Sequence, residues 1–340
     1  MGIQQAIQLV INRTDLTLEQ CREAFDKIMG GEATDAQIAA FIVALRMKGE
    51  TFDEIAAAAA VMREKAARIV PARTDYLVDT CGTGGDGSNS FNISTAVAFV
   101  AAGAGAQVAK HGNRSVSSRS GSADVLEALG VNIGIGPEAM KECLDEAGIC
   151  FLFAPAVHKA MKFAIGPRKE IAARTIFNLL GPLTNPAGAK RQLLGVFAPE
   201  LTQPMAEALR TLKSEKAYVV HGLDRLDEAS LSDETQITEL SAGEVKTYRI
   251  EPEHFGLERA ERESIAGGTA QENAGIIRKI LSGAKGPARD VVVLNAAFAI
   301  AAAGLGESPR QGVDLAIESI DTGAARSKLE KLIGMTQKMD

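Results

Sequence analysis

The amino-acid sequence predicts an α/β protein, with a small helical N-terminal domain and a large α/β domain built on a mostly parallel central sheet. Two observations support this prediction. The first 70 residues show helix-start signals followed by apolar residues at helical spacing. After Pro71, short apolar segments alternate with helical ones, as in a parallel sheet covered by helices. We therefore predict two domains, residues 1–70 and residues 71–340.

The N-terminal domain is predicted from repeated helix starts. At Thr17, Thr34 and Thr51, a Gln or Glu follows three positions later. This spacing is that of a capping box, in which the two side chains bond the free backbone N–H groups of a helix start. Short helices are marginal alone, so we expect these to pack against other parts of the protein.

The larger domain is predicted from alternating strands and helices. The predicted strands are residues 76–78, 107–109, 149–153, 193–197 and 217–220, followed by a hairpin of residues 236–240 and 245–250. Helices are predicted at about residues 94–102 and at 123–129, and another begins at Pro137. Two or three helices are expected to close the chain.

Composition and charge narrow the class of protein. Hydrophobic residues make up 46% of the chain and charged residues 24%, as in a globular protein with a full core. Aromatic residues make up 4%, which argues against a base-stacking surface for nucleic acid. The net charge of −6 argues against the basic face that DNA binding needs. We therefore expect no nucleic-acid partner.

The cysteines and the N-terminus predict a soluble, cytoplasmic protein. The four cysteines form no C-x-x-C pair, so we expect reduced, mostly buried thiols. No basic segment followed by an apolar core opens the chain, so no secretory signal is predicted. The Ala-rich runs at residues 56–61 and 96–104 are too short, or too interrupted by Gly, to span a bilayer.

A glycine-rich turn follows the first predicted strand. Residues 79–87 read DTCGTGGDG, and glycines allow the backbone to turn sharply and approach an anion closely. The carboxyl end of a strand is also where open α/β sheets bind ligands. The segment is neither a P-loop nor a dinucleotide-binding fingerprint. An ordinary tight turn would use the same residues.

Two further segments strengthen the case for phosphate binding. The sequence NIST at residues 92–95 opens an apolar helix, and a helix start attracts phosphate. The Ser94 hydroxyl can bind Mg²⁺, although Ser94 could instead be a plain N-cap. The sequence KHGNRSVSS at residues 110–118 combines cations, an amide and hydroxyls. A flexible linker would need none of the cations, so we favour phosphate and sugar binding there.

Charged residues and histidines elsewhere suggest further roles. Asp227 and Glu228 could hold Mg²⁺ ions that also bind substrate phosphates, although adjacent acids in a loop are often only solvated. Arg168 could bind a carboxylate with two parallel hydrogen bonds or lie on a helix surface. His158 and His221 have no partner at metal-binding spacing, so we expect core or hydrogen-bonding roles for them.

Taken in order, these segments resemble the anthranilate phosphoribosyltransferases, a family of the nucleoside phosphorylase-like phosphoribosyltransferase group. The matching motifs are GTGGD (82–86), NIST (92–95), KHGNRSVSS (110–118), GSADVLEALG (121–130), RTIFNLLGPLTNP (174–186) and LDE (226–228). The resemblance implies Mg²⁺-dependent transfer of a phosphoribosyl group from 5-phosphoribosyl 1-diphosphate to anthranilate, in tryptophan biosynthesis. It also implies that a helical segment near residues 168–186 returns to the helical domain, through which two copies form a homodimer.

The resemblance further implies roles for individual residues. The metal ligands would be Ser94, Asp227 and Glu228. The anthranilate contacts would be Gly82, Asn113 and Arg168, with Arg168 facing the carboxylate. The donor site would comprise Gly82, Gly85, Asp86, Ser90, Asn92, Ile93, Ser94, Thr95, Lys110, His111, Gly112, Asn113, Arg114, Ser115, Val116, Ser117, Ser118 and Ser122.

The implied reaction is governed by charge, because diphosphate leaves as positive charge develops on the ribose ring. We expect Mg²⁺ and Lys110 to neutralise the leaving group. Backbone N–H groups of residues 82–87 would hold the phosphates in place. The aromatic amine is neutral at physiological pH, so we assign no general base. His111 is a candidate proton acceptor, and we favour a structural role for it in its loop.

The sequence departs from the family pattern at three positions. Lys159 stands where Pro is common, Ala172 where Gly is common, and Arg225 where Gly is common before Leu-Asp-Glu. The first two lie near the acceptor entrance, so the resemblance determines donor binding more firmly than acceptor binding. Both acids remain after Arg225, so that departure does not imply loss of the metal.

Three other functions fit parts of the pattern. A pyrimidine nucleoside phosphorylase would share the fold, but Arg168 and residues 174–186 favour an anthranilate-type acceptor. A nucleic-acid-binding relative without catalysis would need a basic face. A helical dimerisation protein would leave the glycine, lysine and carboxylate segments unexplained.

Overall fold

The N-terminal part of the protein is a helical bundle. The structure is a computed structural model that describes residues 1–115 and 119–339. The bundle helices are α1 (Ile3–Ile11), α2 (Leu18–Gly30), α3 (Asp35–Lys48) and α4 (Phe52–Lys65). The predicted capping boxes at Thr17, Thr34 and Thr51 are confirmed, since each hydroxyl accepts the N–H three residues later.

The rest of the chain alternates strands with helices around one sheet. The elements are β1 (Leu77–Gly82), α5 (Ile93–Gly103), β2 (Gln107–Gly112), α6 (Ser122–Leu129), α7 (Pro137–Glu146), β3 (Ile149–Phe153), α8 (Ala154–Val157), α9 (Lys162–Ile171), α10 (Phe177–Leu180), β4 (Arg191–Gly195), α11 (Thr202–Thr211), β5 (Lys216–Gly222), β6 (Thr235–Ser241), β7 (Glu244–Ile250), α12 (Ala270–Leu281), α13 (Pro287–Ala303), α14 (Pro309–Asp321) and α15 (Ala324–Thr336). No helix among the described residues is long and apolar enough to cross a membrane.

The sheet has the strand order β3-β2-β1-β4-β5-β6-β7. The first five strands in this order are parallel, and β6 and β7 form the predicted antiparallel hairpin at one edge. The predicted fold class is therefore confirmed. Strands β2 and β3 lie on one side of β1, and the next strand along the chain, β4, pairs with the other side of β1. Open α/β sheets bind ligands at such a reversal, beyond the carboxyl ends of the strands.

The helical bundle is packed against the sheet rather than isolated from it. Helix α9 contacts α2 and α3, and α10 and α11 contact α4. The Phe25 ring meets the rings of Phe41 and Phe177 edge-on, with centroids 5.9 Å and 5.8 Å away. The same apolar cluster continues to Leu194 of β4 and Val219 of β5. The bundle thereby holds the segment after α9 close to the carboxyl ends of the central strands.

Several predicted bounds were wrong, and the sheet explains the most important ones. Strand β1 continues to Gly82 instead of ending at residue 78, and β2 continues to Gly112 instead of residue 109. Residues of β4 and β3 supply the extra ladder partners. Strand β4 ends at Gly195, two residues before the predicted end. Four helices, α12 to α15, follow the hairpin in the described residues, because Gly304 and Gly323 at positive φ divide this region further.

Candidate active site

The glycine turn, residues 82–87, lies between the ends of β1 and β4. Gly82 pairs with Gly195, and the Thr83 N–H donates to the Gly195 carbonyl at 2.9 Å. Gly84, Gly85 and Gly87 have φ angles of 62°, 75° and 72°. Glycine adopts this left-handed region without the steric cost that other residues incur. The glycines are therefore required by the path of the backbone at the reversal point of the sheet.

The two acids that follow β5 lie against this turn. The Gly84 N–H donates to Asp227 Oδ2 at 3.0 Å, and the Asp227 N–H donates to Asp86 Oδ2 at 3.2 Å. Glu228 is buried, and the backbone N–H of Ser94 bonds its carboxylate. The fold thus brings Asp86, Ser94, Asp227 and Glu228 together from three separate segments of the chain.

Lys110 lies beneath the turn, in strand β2. Its buried ammonium donates to the Thr80 carbonyl, and to Ser94 Oγ at 3.2 Å. Ser94 is the second residue of α5, whose N-cap is Asn92, so the alternative of Ser94 as a plain N-cap is wrong. The predicted end of this strand at residue 109 is also wrong, because ladder pairing with β3 continues through Lys110.

The electrostatics of this cluster favour a bound cation. Burial, together with the nearby Asp86 carboxylate, raises the pKa of Asp227 to about 8. Burial and the neighbouring Asp227 also hold the pKa of Glu228 well above its usual value. Burial lowers the pKa of Lys110, while nearby carboxylates oppose that shift. Carboxylates crowded beside a single buried ammonium would be stabilised by further positive charge.

The donor atoms of this cluster fit Mg²⁺. They are the hydroxyl of Ser94 and the carboxylates of Asp227 and Glu228, and Mg²⁺ prefers oxygen ligands. Across the described ranges, no three or more His, Cys, Asp or Glu side chains surround one ion position. Mg²⁺ in phosphate-transfer sites is commonly held by one or two carboxylates, with substrate phosphates and water completing the shell. The residues present fit such a shared site.

The segment after β2 forms a loop against the start of α6. The Ser122 hydroxyl donates to the Asn113 carbonyl at 3.2 Å, and the Ser115 N–H donates to Asp124 Oδ2 at 3.3 Å. The Arg114 guanidinium binds the carboxylates of Asp124 and Glu127. Gly112 is packed closely here, because a Cβ would lie 2.5 Å from Ser122 Oγ. The predicted donor residues Val116, Ser117 and Ser118 lie outside the described residues.

The remaining predicted donor residues lie beside the start of α5. The Asn92 side chain donates to the Ser120 carbonyl at 3.1 Å and accepts from Asn273 at 2.9 Å. The Ser90 hydroxyl accepts from Ser88 at 3.1 Å. The Ile93 and Thr95 side chains are buried. Any contact that Ile93 or Thr95 makes with a donor would therefore come from the backbone.

The histidines have hydrogen-bonding roles, as expected. His111 Nε2 lies 3.2 Å from His158 Nε2, and His111 Nδ1 lies 3.1 Å from the Gly181 carbonyl oxygen. Burial lowers the pKa of His111 to about 3 and that of His158 to about 4. His221 Nδ1 lies 2.7 Å from the Val196 carbonyl oxygen. All three rings are buried, although His111 belongs to strand β2 and not to the predicted loop.

Arg168 lies in α9, apart from the glycine turn. Its guanidinium sits over the Phe177 ring, 5.1 Å from the centroid, and burial lowers its pKa. Within the described residues it forms no ion pair with a carboxylate, so its hydrogen-bond donors remain available for a ligand. The structure does not bring it into contact with the predicted metal ligands.

Two residues with structural contacts at the site, Arg174 and Asp79, were missed by the sequence analysis. Arg174 donates to the Gly85 carbonyl and lies over the Phe197 ring. The buried carboxylate of Asp79 accepts the His111 N–H at 3.0 Å and an Asn185 side-chain N–H at 2.8 Å. An acid inside an apolar strand could have indicated the Asp79 network. Nothing in the sequence places Arg174 beside Gly85.

Comparison of the sequence with known protein families identifies the class of protein to which the chain belongs. Residues 4–66 match the helical bundle domain of the glycosyl transferase family, and residues 74–326 match the a/b domain of that family. The chain has both domains of this transferase class.

The more particular family follows from individual relatives. The chain is 58% identical to the anthranilate phosphoribosyltransferase of Desulfosudis oleivorans, over 98% of each chain. It is 54% identical to that of Acetivibrio thermocellus, over 98% of this chain and 96% of the relative. The crystal structure of the Thermus thermophilus enzyme matches with a TM-score of 0.92 at 44% identity, over 98% of this chain and 99% of that one. The Saccharomyces cerevisiae enzyme in complex with PRPP and Mg matches with a TM-score of 0.89 at 28% identity, over 99% and 98%. The chain belongs to the anthranilate phosphoribosyltransferase family, as its motifs predicted.

Proposed function

We propose that this protein transfers the phosphoribosyl group of 5-phosphoribosyl 1-diphosphate to the amine of anthranilate. The products are N-(5-phosphoribosyl)anthranilate and diphosphate, and the reaction belongs to tryptophan biosynthesis. The observation that supports this most directly is the cluster of Lys110, Ser94, Asp227 and Glu228 against the glycine turn, at the reversal point of the sheet. The family to which the chain belongs specifies the same donor and acceptor.

The donor site is assigned to the glycine turn and the segments around it. Backbone N–H groups of residues 82–87 and the start of α5 bind the phosphates, because they offer preorganised donors without a change in structure. Ser94, Asp227 and Glu228 hold Mg²⁺, which when bound neutralises charge on the leaving diphosphate. Lys110 adds positive charge from beneath the turn. The remaining donor residues named from the sequence keep their predicted roles.

The acceptor site is assigned to Arg168, Asn113 and Gly82. The Arg168 guanidinium rests on Phe177 and has no carboxylate partner within the described part of the chain, so it can bind the carboxylate of anthranilate. His111 and His158 are buried, uncharged near neutral pH and in contact with each other. We assign no general base, because the aromatic amine already has a free lone pair.

The proposal also includes the oligomeric state of the protein, its location in the cell and the bounds of its two domains. Large apolar side chains are exposed on the bundle helices and on α9, namely Ile11, Leu18, Val43, Met47, Phe52 and Ile165. These exposed side chains support a homodimer formed through the helical domain, since exposed apolar patches mark protein contacts where they are contiguous. We also propose a cytoplasmic location and a division into residues 1–70 and 71–340, with residues 168–186 returning to the bundle.

The proposed reaction can be tested by the loss of anthranilate fluorescence. The purified chain is mixed with anthranilate, and the donor and Mg²⁺ are added separately and together. We expect the signal to decay only when both are present, with diphosphate released in equal amount. A chain that binds the donor but leaves anthranilate unchanged would contradict the proposal. Phosphorolysis of thymidine would then test the phosphorylase alternative.

A further inference from the structure

Arg174 connects the segment after α9 to the glycine turn. Its guanidinium donates a hydrogen bond to the Gly85 carbonyl and lies 4.2 Å from the centroid of the Phe197 ring. The Phe197 N–H in turn donates to Thr83 Oγ1 at 3.1 Å. This one side chain therefore contacts the turn directly at Gly85, and indirectly, through Phe197, at Thr83.

The backbone of the glycine turn is a segment that side-chain contacts can order. Gly84, Gly85 and Gly87 all have positive φ, and glycine loses more conformational freedom on ordering than any other residue. A phosphate site works through N–H groups that are already oriented before the ligand arrives. Side-chain contacts that restrict the turn should therefore strengthen donor binding.

Two side chains from outside the turn bond its backbone within the described residues. Asp227 accepts the Gly84 N–H, and Arg174 donates to the Gly85 carbonyl. Asp227 is also a proposed metal ligand, so its carboxylate is shared between the turn and the ion. Arg174 has no such second role. It contacts the turn closely, because a Cβ on Gly85 would lie 3.4 Å from Arg174 Nη2.

We propose that Arg174 is a positioning residue for the phosphoribosyl diphosphate site. By holding the Gly85 carbonyl, it keeps the neighbouring N–H groups of the turn oriented for the diphosphate. The inference rests on the proposed function, and it adds a residue to the donor side of the reaction.

The variant Arg174→Ala removes both contacts and should weaken the donor selectively. We expect the KM and the Kd for the donor to rise about fivefold, because an exposed charged hydrogen bond and a cation–π contact are each modest. The KM for anthranilate should change less than about twofold, since Arg174 acts on the turn and not on the acceptor. Arg174→Lys should recover part of the donor affinity, because an ammonium can donate to Gly85 but cannot stack as a guanidinium does.

Phe197 provides an independent test of the geometry. Phe197→Leu keeps an apolar side chain but removes the ring on which Arg174 rests. It should weaken the donor in the same direction as Arg174→Ala. The double variant should bind the donor no more weakly than Arg174→Ala alone, because the Phe197 ring acts on the turn only through Arg174.

The decisive measurement is calorimetric titration of each variant with the donor and Mg²⁺, without anthranilate, alongside KM values and thermal unfolding. Lys169→Ala is the matched control, since Lys169 is an exposed cation of α9 that forms no ion pair in residues 1–115 and 119–339. Unchanged donor affinity in Arg174→Ala, an equal loss in Lys169→Ala, or a larger effect on anthranilate than on the donor would each overturn the proposal. Because the titration needs no turnover, it decides the role of Arg174 even if the wild-type chain fails to consume anthranilate.

Discussion

Gly195 offers a sharp test of the active-site geometry, because its backbone lies against the loop that carries the two acids. A Cβ built on Gly195 would lie 1.6 Å from the Asp227 carbonyl oxygen and 2.8 Å from the carbonyl carbon. The oxygen would have to move by about 1.8 Å to reach ordinary van der Waals distance. The variant Gly195→Ala should therefore displace Asp227 and Glu228 from the glycine turn.

The size of the effect follows from that displacement. Misplacing a reacting group by about 1 Å can lower a rate by about 10²-fold. Overpacking a site costs about 1–3 kcal/mol of folding free energy, which is less than the total of about 5–15 kcal/mol. We therefore expect Gly195→Ala to remain folded while its Mg²⁺-dependent turnover falls about a hundredfold.

The assay is the initial rate of anthranilate consumption across a Mg²⁺ titration, with circular dichroism and thermal unfolding as tests of folding. Gly334→Ala is the matched control, since a Cβ there meets nothing within 4 Å and the residue lies in α15. The control should keep the wild-type rate. A folded Gly195→Ala protein with the wild-type rate and Mg²⁺ requirement would refute the placement of Asp227 and Glu228 at the metal.

Three further predictions concern other parts of the site. Replacing Asp227 and Glu228 together by Asn and Gln should abolish Mg²⁺-dependent turnover, and unchanged metal dependence in steady-state assays would contradict their assignment. Arg168→Ala should raise the KM for anthranilate far more than that for the donor, because the proposed role of the guanidinium is to bind only the acceptor; equal changes would exclude a carboxylate clamp. In the folded protein, the pKa of His111 is about 3 and that of His158 is about 4, both below the ordinary value of 6.5. As the pH falls, the unfolded chain therefore binds protons at these histidines before the folded protein does. The free energy of unfolding should decrease as the pH drops from about 6.5 toward 4. His158→Gln should reduce the slope of the free energy of unfolding against pH by up to about 1.4 kcal/mol per pH unit, measured by urea unfolding between pH 7 and 4.5. An unaltered slope would show that His158 is not buried in its uncharged form.

Features that depend on neighbouring residues were predictable from the sequence. The capping boxes at Thr17, Thr34 and Thr51 form because both partners of each hydrogen bond lie three residues apart. The β6–β7 hairpin followed from two short segments with β-branched or aromatic residues and a tight connection. The glycine turn itself also followed from local composition, and its binding of phosphate stays a prediction.

Features that depend on pairing with strands distant in the sequence could not be predicted from the sequence. The polar residues Asp79 and Lys110 gave no strand signal, yet both lie inside strands. Their backbone groups find ladder partners in β4 and β3, which are far away in the sequence. Pairing with a distant strand outweighs the local preference of a polar residue, because the ladder satisfies backbone groups that would otherwise be buried unbonded.

The sequence by itself determined the family, the helical bundle and the residue types suited to a phosphate and magnesium site. Only the tertiary structure decided how those residues meet. Asp227 bonds Gly84 across 143 residues, and Arg174 bonds Gly85 across 89. The first contact exists because β1, β4 and β5 are neighbours in the sheet, which brings the loops at their carboxyl ends to one edge. The second exists because the helical bundle holds the segment between α9 and α10 near the same edge.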